Sequence, residues 1–247
     1  MIQAVTFDFW ETLVSEGAGI DAEEDGTMRA RQLRQWSEIL STAGTPVSDA
    51  AIDAAFDRNW EVFHESWQTN VQHGPADATP LICDLLGVDP SPAVRADLLA
   101  SFDEVGRTAP LRLAPGVEDC IRRLKDAGVR IGIVCDVGMT ASPTLRERLD
   151  SFGVLRFFDH WSFSDEVGCF KPWPAVFEHA LEGLGIDDAG SAAHVGDSRR
   201  TDVAGAQAMG MTAVRYTYFV DAPAHTGPEA HHVLDDHAKL APALGIS

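Results

Sequence analysis

AVTFDFWETL (Ala4–Leu13) opens on an apolar, β-branched run, Ala4–Phe9, broken by one acid, Asp8, and followed by the polar Glu11 and Thr12. A short apolar run bounded in this way reads as a buried strand. The acid at its end therefore belongs at the carboxyl edge of a sheet. Outward from this stretch, similar runs recur at Arg130–Asp136, Ala192–Val195 and Thr212–Tyr216. Helical patterns lie between them. One is opened by Pro115-Gly116-Val117 and runs through Leu124 to a stop at Gly128. Another is opened by Pro174 and ends near Gly183 or Gly185, and a third runs from about Asp202 to Met209 before Gly210. Strands alternating with helices predict a parallel sheet with helices on both faces.

The pattern changes between about Ser15 and Thr108. Strand signals vanish, and helices are expected near Thr27–Ala43, Ser48–Asn70, Thr79–Leu86 and Pro92–Val105. Turn-like breaks separate them at Ala43-Gly44-Thr45-Pro46, His73-Gly74-Pro75 and Gly87 through Pro92. The chain of 247 residues is thus expected to fold as an α/β core with a Rossmann-like sheet, residues 1–15 and 109–247, interrupted by an all-helical domain at 16–108. A last short strand is expected at His232–Leu234.

A formal net charge of −19 repels nucleic acid and anionic membranes. No apolar run reaches the roughly 18 residues of a transmembrane helix. The N-terminus lacks a basic region and a small-residue cleavage site, so a cytoplasmic location is expected. Cys83, Cys120, Cys135 and Cys169 form neither a CxxC pair nor a zinc spacing and read as reduced thiols. Lysine occurs only as Lys125, Lys171 and Lys239.

In an open parallel sheet the reactive site lies beyond the carboxyl ends of the strands. Three strands deliver Asp8, Cys135-Asp136 and Gly196-Asp197 to that edge, and Lys171 and Asp202 follow nearby. Crowded carboxylates repel unless they are protonated or neutralised. Oxygen-liganded Mg²⁺ solves this for Asp8, Asp197 and Asp202, while Lys171 adds a positive charge toward a nucleophilic carboxylate and an anionic substrate.

FDFWETL (Phe7–Leu13), IGIVCD (Ile131–Asp136), FKPWPAVF (Phe170–Phe177) and VGDSRRTDVAGAQAMGM (Val195–Met211) resemble, in order, the four motifs of the haloacid dehalogenase-like superfamily. The resemblance spans nearly the whole chain, and the helical insertion is similar to that family's substrate-selecting cap. It implies a magnesium-dependent hydrolase, foremost a phosphatase acting on a small anionic phosphate ester through an aspartyl-phosphate at Asp8. Thr12 matches the loop-supporting hydroxyl and Lys171 the third-motif lysine. Asp197 and Asp202 match the metal-binding acids, joined by Asp8 and the backbone carbonyl of Trp10. Trp10, Cys135, Asp136 and Lys171 are the residues expected to face substrate. The family's known caps leave monomer and homodimer both open.

Two positions depart from the phosphatase pattern. Trp10 stands where an aspartate protonates the leaving alcohol, and an indole cannot do so at neutral pH. Cys135 replaces a better hydrogen-bonding Ser or Thr. Three readings follow: a phosphatase with a good leaving group or a substitute acid (Glu11, Asp136, His64 or His73), a 2-haloacid dehalogenase-type enzyme, or a non-catalytic binding protein. In the insertion, Trp60, Phe63, His64 and Trp67 share one helix face, as bundle core or as a substrate wall. Arg29, Arg31 and Arg34 could grip an anion or form a solvated face.

Overall fold

A computed structural model describes residues 1–16 and 26–246 of the chain. The expected start of the insertion over 17–25, and Ser247, lie outside the described residues. In chain order, β1 (Ala4–Phe7) is followed by β2 (Val14–Ser15), α1 (Met28–Thr42), α2 (Asp49–Gln68), α3 (Pro75–Leu86), α4 (Pro92–Thr108) and β3 (Arg112–Leu113). Next come α5 (Val117–Asp126), β4 (Arg130–Cys135), α6 (Ser142–Ser151), β5 (His160–Phe163), α7 (Ser164–Val167), α8 (Pro174–Gly183) and β6 (Ala192–Gly196). A π-helical turn (Arg199–Val203), α9 (Ala204–Ala208), β7 (Thr212–Tyr216), β8 (His232–Leu234) and α10 (Leu240–Ala243) complete the described chain.

The chain divides into two compact units. The first holds Met1–Ser15, Arg112–Asp136 and Leu149–Ser247. Its six-stranded sheet has the order β5-β4-β1-β6-β7-β8, and every neighbouring pair is parallel. β1 is buried at every residue because it lies between β4 and β6, with Phe7 paired to Ile133 on one side and Val195 on the other. That explains its continuous apolar run. α8 and α9 approach closely through Gly205, where an added Cβ would lie 2.4 Å from the Phe177 ring. An antiparallel pair, β2 with β3, closes the two ends of the insertion.

The second unit holds Glu16–Leu111 and Val137–Arg148. Trp36 lies edge-on to Phe56 at 5.2 Å, in a core with Leu40, Ile52, Ile82, Leu98 and Phe102. Ser101 Oγ accepts from Gln32 Nε2 at 2.6 Å and Trp36 Nε1 at 3.1 Å, satisfying two buried donors. Thr27, Ser48 and Ser91 cap α1, α2 and α4 through their side-chain oxygens.

Three of the differences from the sequence expectation have a plain physical reason. α3 begins at Pro75 rather than Thr79, because proline suits a first helical turn and Asp77 accepts the Gly74 N–H at 3.0 Å. The four-residue strand β5 was not expected; at a sheet edge its half-exposed His160 and Trp161 give no apolar run. Nor was α6, whose Pro143 and mixed polarity hide its period. No helix of the described residues is long and apolar enough to cross a membrane.

Candidate active site

The site is built at the carboxyl ends of β1 and β6. Pairing carries the chain past β1, where the Asp8 N–H donates to Val195 O at 2.8 Å. Lys171, buried ahead of α8, places Nζ 2.6 Å from Asp8 Oδ1 and 2.6 Å from Asp202 Oδ1. Asp202 sits in the π-helical turn, and its Oδ2 accepts the Ser198 N–H at 3.0 Å. Gly196 makes room for it, since a Cβ there would lie 2.2 Å from Asp202 Cγ. Carboxylate oxygens of Asp8, Asp197 and Asp202 come within 4.8 Å of one another.

The electrostatics follow from burial. Burial drives the Asp8 carboxyl well above its ordinary range, and Asp202 and Asp197 add to the rise that Lys171 opposes. Asp197 is pushed up to about 7, first by burial and then by the Asp202 charge. Burial also works against the Asp202 carboxylate, but Lys171 and His194 outweigh it and hold Asp202 below the usual range. Burial acts against the Lys171 ammonium, yet Asp202 and Asp8 raise it well above normal. One lysine thus faces three carboxylates, which leaves an anionic pocket of hard oxygen donors. That donor set fits a divalent cation such as Mg²⁺.

Sequence reasoning passed over His194. On buried β6 its Nε2 lies 2.9 Å from Asp202 Oδ1 and its Nδ1 lies 2.8 Å from Thr6 Oγ1. A carboxylate accepts, so Nε2 carries the hydrogen and Thr6 donates to Nδ1. A lone polar residue inside an apolar strand was the available signal.

The other expected site residues are placed as follows. Trp10 is half-buried and edge-on to Phe9, with ring centroids 4.9 Å apart. Glu11 takes a positive φ of 53°, and its Oε1 accepts from Ser15 Oγ at 3.0 Å. Thr12 is buried, its hydroxyl has no hydrogen-bond partner among the described residues, and its carbonyl lies 3.0 Å from His237 Nε2. Cys135 is fully buried, and burial, then Asp8, drives its thiol well above its ordinary value, so it is a thiol and not a thiolate. Asp136 Oδ1 accepts the Lys171 N–H at 2.8 Å, so it anchors the lysine's backbone.

In the helical unit, His73 is buried, with Nε2 2.9 Å from Asn59 Oδ1. His64 is exposed, Trp60 and Trp67 are half-buried, and Phe63 is buried, stacked on Trp67 at 6.5 Å. The stripe is therefore neither wholly core nor wholly surface. Arg29 pairs with Asp53 at 2.6 Å and Asp57 at 2.7 Å, and Arg31 Nε donates to Gly26 O at 3.0 Å.

A parallel α/β sheet with a lysine-bridged cluster of aspartates beyond its strand ends is an enzyme architecture of Rossmann-like type. The chain belongs to the haloacid dehalogenase-like hydrolases, whose family model matches residues 2–210. It is 27% identical over 215 residues to the glyceraldehyde 3-phosphate phosphatase of Methanopyrus kandleri, covering 87% of this chain and 84% of that protein. Among solved structures it resembles a haloacid dehalogenase-like phosphatase from Thermococcus onnurineus, with 24% identity, a TM-score of 0.67 and coverage of 99% and 98% of the two chains. It also resembles a 2-haloacid dehalogenase from Pseudomonas syringae pv. Tomato, with 22% identity, a TM-score of 0.73 and 99% of both chains covered.

Proposed function

We propose that the protein is a Mg²⁺-dependent phosphatase that hydrolyses a small phosphate ester through an aspartyl-phosphate at Asp8. The observation that carries this reading is Asp8 itself. It is a buried strand-end carboxylate with one oxygen held 2.6 Å from Lys171 Nζ and two further aspartates beside it. Asp8, Asp197, Asp202 and the Trp10 carbonyl would hold the cation, which when bound neutralises the carboxylates and polarises the phosphoryl oxygens. A carboxylate oxygen of Asp8 attacks phosphorus, and the P–O bond to the leaving group breaks as the new P–O bond forms. Lys171 orients Asp8 and offsets charge on the transferring group. Water then cleaves the acyl phosphate, releasing inorganic phosphate and restoring Asp8.

Trp10 cannot protonate the departing oxygen, so the reading favours substrates with acidic leaving groups, such as acyl, enol or aryl phosphates. Glyceraldehyde 3-phosphate, for which the Methanopyrus kandleri relative is named, is the natural alkyl comparison. Residues 16–108 serve as the substrate-selecting cap and residues 1–15 with 109–247 as the catalytic core, in a cytoplasmic protein. The test is release of phosphate from a panel of phosphate esters with Mg²⁺ and with EDTA, for the wild type and Asp8→Asn. Activity that survives both EDTA and Asp8→Asn sinks the proposal. Trp10 favours one second reading, hydrolysis of a 2-haloacid, because halide leaves without a proton. Metal-independent halide release would establish it in place of the phosphatase.

A further inference from the structure

The nucleophile-bearing loop is held mostly by its own backbone. Leu13 N and Val14 N both donate to Phe9 O, Glu11 N donates to Val14 O, and Ala114 N donates to Leu13 O. Within this loop Glu11 has a φ of 53°, a left-handed conformation that a side chain with Cβ adopts at a cost of roughly 1–2 kcal/mol. Such a conformation persists when its surroundings over-determine it. The Thr12 carbonyl, next in the chain, receives the restraint from outside: His237 Nε2 lies 3.0 Å away, across 225 positions of sequence.

The setting of His237 is apolar. It is buried in the short 3₁₀ turn His237–Lys239, stacked on Tyr216 at 4.1 Å with an interplanar angle of 28°, and Phe7 stands 6.3 Å away. Asp236 caps that turn by accepting the Ala238 N–H at 2.9 Å. A phenylalanine would fill such a pocket without a polar group to desolvate. The imidazole is explained by its bond: a carbonyl only accepts, so Nε2 must carry the hydrogen. This residue lies beyond the 2–210 stretch that the family model matches.

We infer that His237 is a positioning residue for the reaction at Asp8, holding the Glu11–Thr12 turn so that the loop presents its carboxylate to phosphorus. The inference rests on the proposed phosphatase activity. His237 touches no reacting atom; it acts through the Thr12 carbonyl. A nucleophile displaced by even 1 Å can lose on the order of a hundredfold in rate. The effect belongs in kcat, since substrate contacts stay in place.

The test compares full-length His237→Phe, which keeps the ring stack but has no donor, with His237→Gln, whose Nε2 can donate from a similar place. Expected for His237→Phe is a fall in kcat of about tenfold or more with KM changed less than about twofold, and recovery of most of kcat in His237→Gln. Equal losses in both variants, a loss confined to KM, or a wild-type kcat in His237→Phe overturns the inference. ¹⁵N NMR of the wild-type imidazole at neutral pH provides a readout independent of variant folding. The neutral Nε2–H tautomer is expected, and the Nδ1–H tautomer overturns the inference. Wild type that turns over no phosphate ester removes the reaction role along with the proposed function. An Nε2–H tautomer would then show that the functional reading failed, not the His237–Thr12 contact.

Discussion

Lys171 Nζ stands 2.6 Å from Asp8 Oδ1, with both side chains buried. Because the same ammonium also reaches Asp202 at 2.6 Å, removing it strands two buried acids. Breaking a buried pair by deleting one partner costs about 3–5 kcal/mol. Lys171→Met should lose stability of that order in urea titrations with EDTA present, and should lose phosphatase activity. Unchanged stability would show that the bridge does not neutralise the cluster.

Asp197 links the cluster to pH. Its carboxyl is raised to about 7 by burial and Asp202, above an unfolded value of 3.8. A raised acid favours the folded state fully below the unfolded pKa, and that contribution is lost as pH rises through the folded pKa. Metal-free protein should therefore lose stability from this group between pH 4 and pH 7. Mg²⁺ should raise the melting temperature more at pH 8 than at pH 5; a hundredfold excess over Kd stabilises the folded state by about 2.7 kcal/mol. Equal Mg²⁺ increments at both pH values would refute the link.

His237 works in the opposite direction. Burial lowers it to about 4 from 6.5, so the folded state prefers the neutral ring. Its stabilising contribution is present above pH 6.5 and is lost as pH falls toward 4. The shift corresponds to about 3 kcal/mol. Subtracting the stability curve of His237→Gln from that of the wild type should isolate an acid limb in this window, and a flat difference would contradict it.

Trp10 predicts a leaving-group effect. Wild-type kcat/KM should rise steeply as the leaving group becomes more acidic. Trp10→Asp should increase turnover of alkyl phosphates by about 10²-fold or more, with far less effect on aryl phosphates. Equal gains on both classes would mean that the indole limits something other than proton transfer.

Gly196→Ala tests the packing behind Asp202. Its new Cβ would fall 2.2 Å from Asp202 Cγ, so the carboxylate must move. A stability loss of about 1–3 kcal/mol is expected, with a weaker Mg²⁺ affinity by calorimetry. Wild-type affinity would show that Asp202 does not bind the cation.

Much of this was local in origin and therefore readable from the chain. Asp8, Asp136 and Asp197 end or follow apolar strands, and Gly128, Pro174 and Gly210 punctuate helices, so the parallel sheet and the edge that collects these acids follow from short-range pattern. Lys171 was drawn to that edge by scarcity of lysine and by motif resemblance. The departure at Trp10 is likewise plain in the sequence, because an indole's proton chemistry does not depend on its surroundings.

The tertiary structure decided what depends on partners distant along the chain. His194 reads as one polar residue in a strand until Asp202 and Thr6 stand on either side of it, and His237 is an unremarked tail residue until it meets Thr12. Residues 137–148 follow the second acidic strand end yet group with the helical unit, a division that no local periodicity encodes. The upward shifts of the Asp8 and Asp197 carboxyls were also invisible, since desolvation and neighbouring charge are set by folding. Backbone pattern depends on residues a few positions apart and is written in sequence. Burial, ion pairing and hydrogen-bond partnership arise between residues up to 225 positions apart, and only the folded chain brings those together.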